Sequence, residues 1–204
     1  MAIPNAGRSV RVDTQEFTSS GTWTKPSWAD EKATVEYLLI GGGGAGHATN
    51  SMGGQAGGVT EGVLLASDLG STETVTIGAG GSGGDGGDTS FGDLSAGGGI
   101  AGFASPPTTV EGLYLKGHGT YIGSSGYTGG LAMTATSNPG SPGGGGMAGA
   151  SAYRKGSGFK RGDGGRNQAN GTDGGLYGGG GGGGTTTGGD GGQGYCRVVT
   201  WRIG

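Results

Sequence analysis

Residues 178–184 are seven consecutive glycines, in a chain where 59 of 204 residues are glycine. A stretch without side chains cannot fill a core. It cannot hold a helix either, because glycine costs about 1 kcal/mol relative to alanine at each interior position. Ordering every glycine in the chain costs on the order of tens of kcal/mol beyond an alanine chain. Only backbone amides and carbonyls that pair with other backbone, or oligomeric packing, remain to offset that cost. The glycines are also clustered: residues 1–40 hold only Gly7 and Gly21, and residues 59–77 only Gly62 and Gly70. The chain therefore divides into side-chain-bearing patches and bare tracts.

The tracts have a period. Residues 80–88 read Gly-Gly-Ser-Gly-Gly-Asp-Gly-Gly-Asp, and residues 188–194 read Gly-Gly-Asp-Gly-Gly-Gln-Gly. A repeat of three matches the polyproline II helix, which makes no internal hydrogen bonds and leaves its amides to bond neighbours. In a bundle of such helices, one enclosed on every side carries only glycine, while one at the rim carries a side chain at one position in three. Residues 178–184, about 22 Å long at ~3.1 Å per residue, fit a central helix. The Gly-Gly-Asp tracts fit the rim. A flexible linker has the same composition, but linkers are seldom entered directly from strands, as these tracts are.

The clearest entry is residues 34–46. Val35, Tyr37 and Leu39 share one face of an extended segment and Glu36, Leu38 and Ile40 the other, before the chain turns to Gly41–Gly44. Residues 16–26, with Phe17, Trp23 and a stop at Pro26, read as a strand. Residues 58–65 and 72–77 read as two more, joined by Ser67-Asp68-Leu69-Gly70 turn chemistry, and residues 89–94 as a short fifth. Residues 195–203 set Tyr195, Val199, Trp201 and Ile203 against Cys196 and Val198. No segment has apolar residues at helical spacing over three turns. The expected fold is all-β: a small antiparallel β-sandwich core with a glycine-rich polyproline or polyglycine II helix bundle inserted between core strands. Residues 1–15 would be a docking arm, 16–99 and 188–204 the β core with glycine-rich loops, and 100–187 a glycine-rich insertion of displayed loops.

Several chemistries are disfavoured. Gly41-x-Gly43-x-x-Gly46 imitates a dinucleotide fingerprint, but no helix can follow it to receive a pyrophosphate, so no cofactor is expected. Gly80-Gly81-Ser82-Gly83-Gly84-Asp85 opens like a calcium nonapeptide. Its apolar slot falls on Gly87 and no tandem copy follows, so Asp85, Asp88 and Asp190 are weak calcium candidates, better read as solvated rim residues. Arg161-Gly162-Asp163 and the sequon at Asn170 need a eukaryotic extracellular setting that nothing else supports. His47 and His118 lack ligand clusters, and Cys196, the only cysteine, reads as a small core residue. A net charge of −3 and no recognised module argue against nucleic acid. No run is long enough to span a membrane, and the start Met-Ala-Ile-Pro-Asn lacks the signal-peptide pattern, so cytoplasmic synthesis is expected.

The insertion holds Tyr114, Tyr121, Tyr127, Tyr153 and Tyr177, five of the seven tyrosines. Tyr153-Arg154-Lys155-Gly-Ser-Gly-Phe159-Lys160-Arg161 adds four basic residues, and Arg166 follows. On glycine-flanked loops no strand pattern buries these side chains. Aromatic faces suit sugar rings and cations suit anionic polymer. Capping of the bundle ends against water is an equal use for tyrosine.

Read in order, Phe-Thr-x-x-Gly-Thr-Trp-Thr-Lys-Pro, the strand into Ile-Gly-Gly-Gly-Gly-Ala-Gly, Gly-Gly-Val-Thr-Glu, Thr-Val-Thr-Ile-Gly-Ala-Gly-Gly, Gly-Gly-Asp-Thr-Ser-Phe-Gly and the closing Gly-Gly-x-Gly-Gly-x-Gly-Tyr-x-Arg-Val resemble the glycine-rich domain of bacteriophage tail-fibre and minor tail proteins. The motifs cover about residues 16–99 and 188–203. The resemblance implies a virion protein at the tail end, with polyglycine helices displaying variable loops to a host surface. It does not reach residues 100–187 beyond their glycine habit. A non-enzymatic tail-tip or tail-fibre protein is expected, with Tyr121, Tyr127, Tyr153, Arg154, Lys155, Phe159, Lys160 and Arg161 meeting a host glycan or envelope polymer. The alternative is a purely architectural tail-tip or baseplate component. Other tail proteins are the expected partners of the arm, and a symmetric oligomer such as a trimer is expected of so small a core.

Overall fold

The computed structural model of the chain describes residues 9–48, 53–102 and 168–204. Ten strands run through them: β1 (Val10–Phe17), β2 (Gly21–Thr24), β3 (Thr34–Ile40), β4 (Val59–Leu65), β5 (Thr72–Thr76), β6 (Thr89–Phe91), β7 (Leu94–Ala96), β8 (Gln168–Asn170), β9 (Gly184–Thr187) and β10 (Tyr195–Ile203). The described residues contain no α-helix, only a single 3-10 turn at Ala66–Asp68. None of their helical structure is long and apolar enough to cross a membrane. The fold is all-β, with two four-stranded antiparallel sheets, β1-β10-β3-β4 and β2-β5-β6-β7, and a small parallel pair β8-β9.

The closing strand β10 returns between β1 and β3, pairing Phe17 with Cys196 on one side and Leu39 with Cys196 on the other. Period two then decides what is buried. Val35, Leu39, Cys196 and Val198 of the first sheet meet Trp23, Val75, Phe91 and Ala96 of the second in one core. Trp23 and Phe91 pack edge to face, 5.5 Å between centroids at 88°, a favoured arrangement of ring quadrupoles. The Thr-Trp-Thr-Lys-Pro motif thus supplies the core's largest side chain. Its lysine serves the same corner: Lys25 Nζ donates to the carbonyls of Ala66 and Leu69, each at 2.6 Å.

Side chains close the seams between the sheets. At one side the Gln15 carboxamide acts as an extra peptide group, donating to Thr24 O at 2.8 Å and accepting from Thr24 N at 3.2 Å. At the other, Thr60 Oγ1 donates to Ser95 O at 2.8 Å. The β6-β7 hairpin turns on Gly92-Asp93, where Gly92 has φ +54°, a left-handed conformation that favours glycine.

Two segments depart from the sequence expectation. Residues 16–26 are divided by a bend at 18–20 into β1 and β2, which belong to different sheets. Residues 10–15 of the expected arm lie in β1, paired along their whole length with β10. Residues 1–8 lie outside the described residues.

Candidate functional site

At one end of the two sheets, six strand termini continue directly into glycine segments: β3, β5 and β7 run out into 41–46, 78–81 and 97–102, while β4, β6 and β10 are entered from 53–58, 84–87 and 188–194. Segment 41–46 lies in the middle of this glycine array. Its successive amides from Gly41 to Gly46 donate to Gly58, Gly87, Gly192, Gln55, Gly84 and Gly189, at 2.8–3.0 Å. The acceptor segment changes at every residue and returns at every third. Its carbonyls do the same in reverse: Gly42 and Ala45 accept from Gly99 and Gly102, Gly43 from Gly81, and Gly44 from Gly181. Among the described residues, then, one segment is bonded laterally to six others.

Such close approach accounts for the composition. A Cβ built on Gly43 would fall on the carbonyl oxygen of Gly179, one on Gly44 on that of Ile100, and one on Gly46 on that of Gly182. At the rim the logic reverses. Asp85 and Asp88 accept the amides of Ala101 and Gly98 at 2.8 Å each, with Gly86 N donating to Gly99 O between them. Residues three apart on one segment therefore serve residues three apart on its neighbour. Asp173 likewise accepts the Asp190 amide at 2.8 Å. These carboxylates are occupied with backbone donors, and among the described residues no three His, Cys, Asp or Glu side chains cluster as a metal site would.

Residues 178–184, expected at the centre, bond four stretches, 41–47, 53–58, 171–175 and 188–194, against the six around 41–46, and end in β9. The central place goes to the segment leaving β3, an interior strand with partners on both sides. Buried Ala45 sits within it, so enclosure does not demand glycine at every residue.

The array also fixes where the remaining chain attaches. Gly102 donates to Ala45, Gly54 to Gly181 and Gly171, next to the small β8-β9 pair, to Thr187, all away from the two four-stranded sheets. Residues 103–167 are therefore joined to the far end of the array. Tyr121, Tyr127, Tyr153, Arg154, Lys155, Phe159, Lys160 and Arg161 all lie in that stretch, outside the described residues. Tyr177 can be placed. Its ring lies 4.6 Å from that of Tyr195, and both pack with Leu38, Ile40 and Val59 where the array meets the sheet. For this tyrosine, covering an apolar junction is the role found. Burial, with the Glu16 carboxylate beside it, raises the Tyr195 hydroxyl above its ordinary range.

Cys196 is fully buried. Burial alone pushes its thiol up to about 12, the opposite of what a nucleophile needs. A maleimide or disulfide reagent at neutral pH is expected to label the folded chain negligibly and the denatured chain fully. Labelling of the folded chain at a free-thiol rate would show the core open. Because the folded value lies above the ordinary 9.0, the thiol's contribution to stability is complete below about pH 9 and declines as pH rises towards 12.

The period-two reading missed a second surface, the outer face of sheet β1-β10-β3-β4. Register places Val10 beside Ile203; Val12, Trp201, Thr34 and Leu65 in a row; Thr14, Val199, Glu36 and Val63 in the next; and Glu16, Arg197, Leu38 and Glu61 after it. Val63 is 63% exposed, Val10 and Val12 59% each, and Leu65 and Ile203 50% each. Trp201 Nε1 donates to Glu36 Oε1 at 2.9 Å. The alternation of Val10 and Val12 in a short polar stretch was the available signal. Alternation marks a face as apolar without saying whether anything covers it.

No curated protein matches the chain. A family model does: that of a glycine-rich domain, over residues 14–201, which spans both sheets, the array and the stretch between residues 102 and 168. On that match the chain belongs to the glycine-rich domain family.

Proposed function

We propose that this chain is a non-enzymatic structural protein of a bacteriophage virion, at the tail tip or tail fibre, whose glycine segments form a polyglycine II bundle that carries host-contacting loops. The observation that carries this reading is the hand-off of amides along 41–46. A donor direction that returns every third residue is what a three-residue helical turn produces. A mount made this way has many backbone bonds and few side chains to reorganise, which suits the presentation of loops at its far end. Residues 103–167 are joined there, and they carry the aromatic and basic side chains that suit a glycan or an anionic envelope polymer. The phage assignment rests on the ordered motifs of residues 16–99 and 188–203.

The test is binding of the full chain to intact bacteria and to arrayed bacterial surface polysaccharides, wild type against a variant with Tyr153, Arg154, Phe159 and Arg161 changed to alanine. A loss of about tenfold or more is expected, since each aromatic or cationic contact contributes on the order of 1 kcal/mol. Equal binding by both proteins would remove the loop assignment. The exposed outer face of the four-stranded sheet favours a second reading, an architectural tail-tip or baseplate component held between other proteins, in which case neither protein binds.

A further inference from the structure

Among the described residues, Tyr177 covers the outer face of sheet β1-β10-β3-β4 next to the array, at Leu38, Ile40, Val59 and Tyr195. Beyond the charged row of Glu16, Arg197 and Glu61, the face opens into the field of Val10, Val12, Val63, Leu65 and Ile203, with Trp201 and Val199 half-buried among them. Thr34 and Glu36 divide this field into a Val10, Val12 and Ile203 side and a Val63 and Leu65 side, so what singles the face out as a candidate interaction surface is the gathering of five large apolar side chains, each half-exposed or more, on one side of a single sheet.

Size and charge select its occupant. Three inter-strand spacings and five residues of strand make the field about 14 Å by 14 Å, roughly 200 Å² in projection. A stable interface takes about 800 Å² of accessible surface per partner, so the apolar field by itself does not supply one and the charges around it decide what it can hold. The face also carries Glu16, Glu36 and Glu61 against Arg197, three negative charges less one positive, and would repel its own copy. A cleft of about 390 Å³ opens beside these charges, lined by Glu36, Leu38, Glu61, Val63, Arg197 and Val199. Its walls suit the aliphatic stem of a long basic side chain and its carboxylates suit the cationic head.

We propose that this face docks one extended segment of a partner protein, apolar at alternate residues and bearing a single lysine or arginine that enters the cleft between Glu36 and Glu61. The apolar side chains of the segment cover Val12, Trp201, Val63 and Leu65. The cation faces the excess carboxylate and fixes the register of the segment along the sheet. In the virion proposed above, this face lies away from the far end of the array and is the side that meets the rest of the particle.

The probe is a short capped peptide alternating threonine and valine, with one central lysine on the valine face, and a counterpart with glutamate in place of lysine. Amide and indole resonances of the full chain are followed by NMR as each is added. The lysine peptide is expected to shift Val12, Val63, Leu65 and the Trp201 indole and to bind about fivefold more tightly than the glutamate peptide. Glu61→Lys is expected to reverse that order, and Val12→Thr with Val63→Thr to weaken both peptides. These positions are exposed, so the fold should survive each change; a near-wild-type spectrum of the free variant checks this. The proposal is overturned by an absence of shifts on this face, by equal binding of the two peptides, by an order that Glu61→Lys leaves unchanged, or by self-association of the chain that Val63→Glu abolishes. Alanine variants at residues 153–161 leave this measurement untouched, so it succeeds or fails apart from the loop assignment.

Discussion

Gly43→Ala is expected to lower the melting temperature by roughly 10 °C, while Gly84→Ala leaves it level or slightly raised. Both replace one hydrogen with a methyl group in the same array. At Gly43 that methyl would occupy the position of the Gly179 carbonyl, and Gly43 also donates to Gly192. Rigid backbone on the far side cannot rotate away as a side chain would, so segment 41–46 must shift against the six that hold it. Overpacking of a close-packed interior costs about 3 kcal/mol at its upper range, and each kcal/mol moves the midpoint of a chain this size by roughly 2–4 °C. At Gly84 nothing lies within 4 Å of the added carbon. There the methyl restricts the unfolded chain and favours folding by about 0.5 kcal/mol. Thermal unfolding of the two variants side by side decides the matter, because glycine propensity alone gives both the same sign. Equal midpoints would mean that the array does not pack as closely as its hydrogen bonds indicate.

The second large effect lies between the sheets. Trp23→Ala removes the largest fully buried side chain, together with its edge-to-face contact on Phe91. Truncations of this kind cost about 3–5 kcal/mol, and here the cavity would open against residues of both sheets. Trp23→Phe should cost much less than its lost volume suggests, because the buried indole nitrogen has no hydrogen-bond partner among the described residues and phenylalanine removes that desolvated donor. Urea midpoints of the two variants provide the measurement. If Trp23→Phe were as damaging as Trp23→Ala, the indole nitrogen would have to be satisfied, for instance by a buried water.

The sequence disclosed the strands whose neighbours differ on the two faces. In β10 the alternation of Tyr195, Val199, Trp201 and Ile203 with Cys196 and Val198 is long enough to be legible, and Cys196 and Val198 are fully buried. β1 was not legible as a strand. Val10 and Val12 alternate with Arg11 and Asp13 in too short and polar a run, and pairing with β10 settles their conformation. The break between β1 and β2 was hidden because Phe17 and Trp23 both point to one core from different sheets. The candidate contact residues from Tyr121 to Arg161 were chosen by chemistry alone. Their positions lie outside the described residues.

By itself the sequence determined that this chain makes β-structure, that its glycine tracts cannot stand on side-chain packing, and that a repeat of three governs them. Those properties follow from local chemistry: β-branched alternation, the missing Cβ, and the spacing of aspartate. Tertiary structure decided which tract is enclosed. The longest glycine run borders the centre, and 41–46 occupies it, because a segment inherits its neighbours from the strand it leaves: 41–46 leaves the interior strand β3, whereas 178–184 leaves no strand of either four-stranded sheet. It likewise decided that one apolar face of β3 and β10 is closed by a second sheet, while the other, away from Tyr177, is left open among the described residues. A one-dimensional pattern records that a face is apolar; only the three-dimensional arrangement determines what lies opposite it.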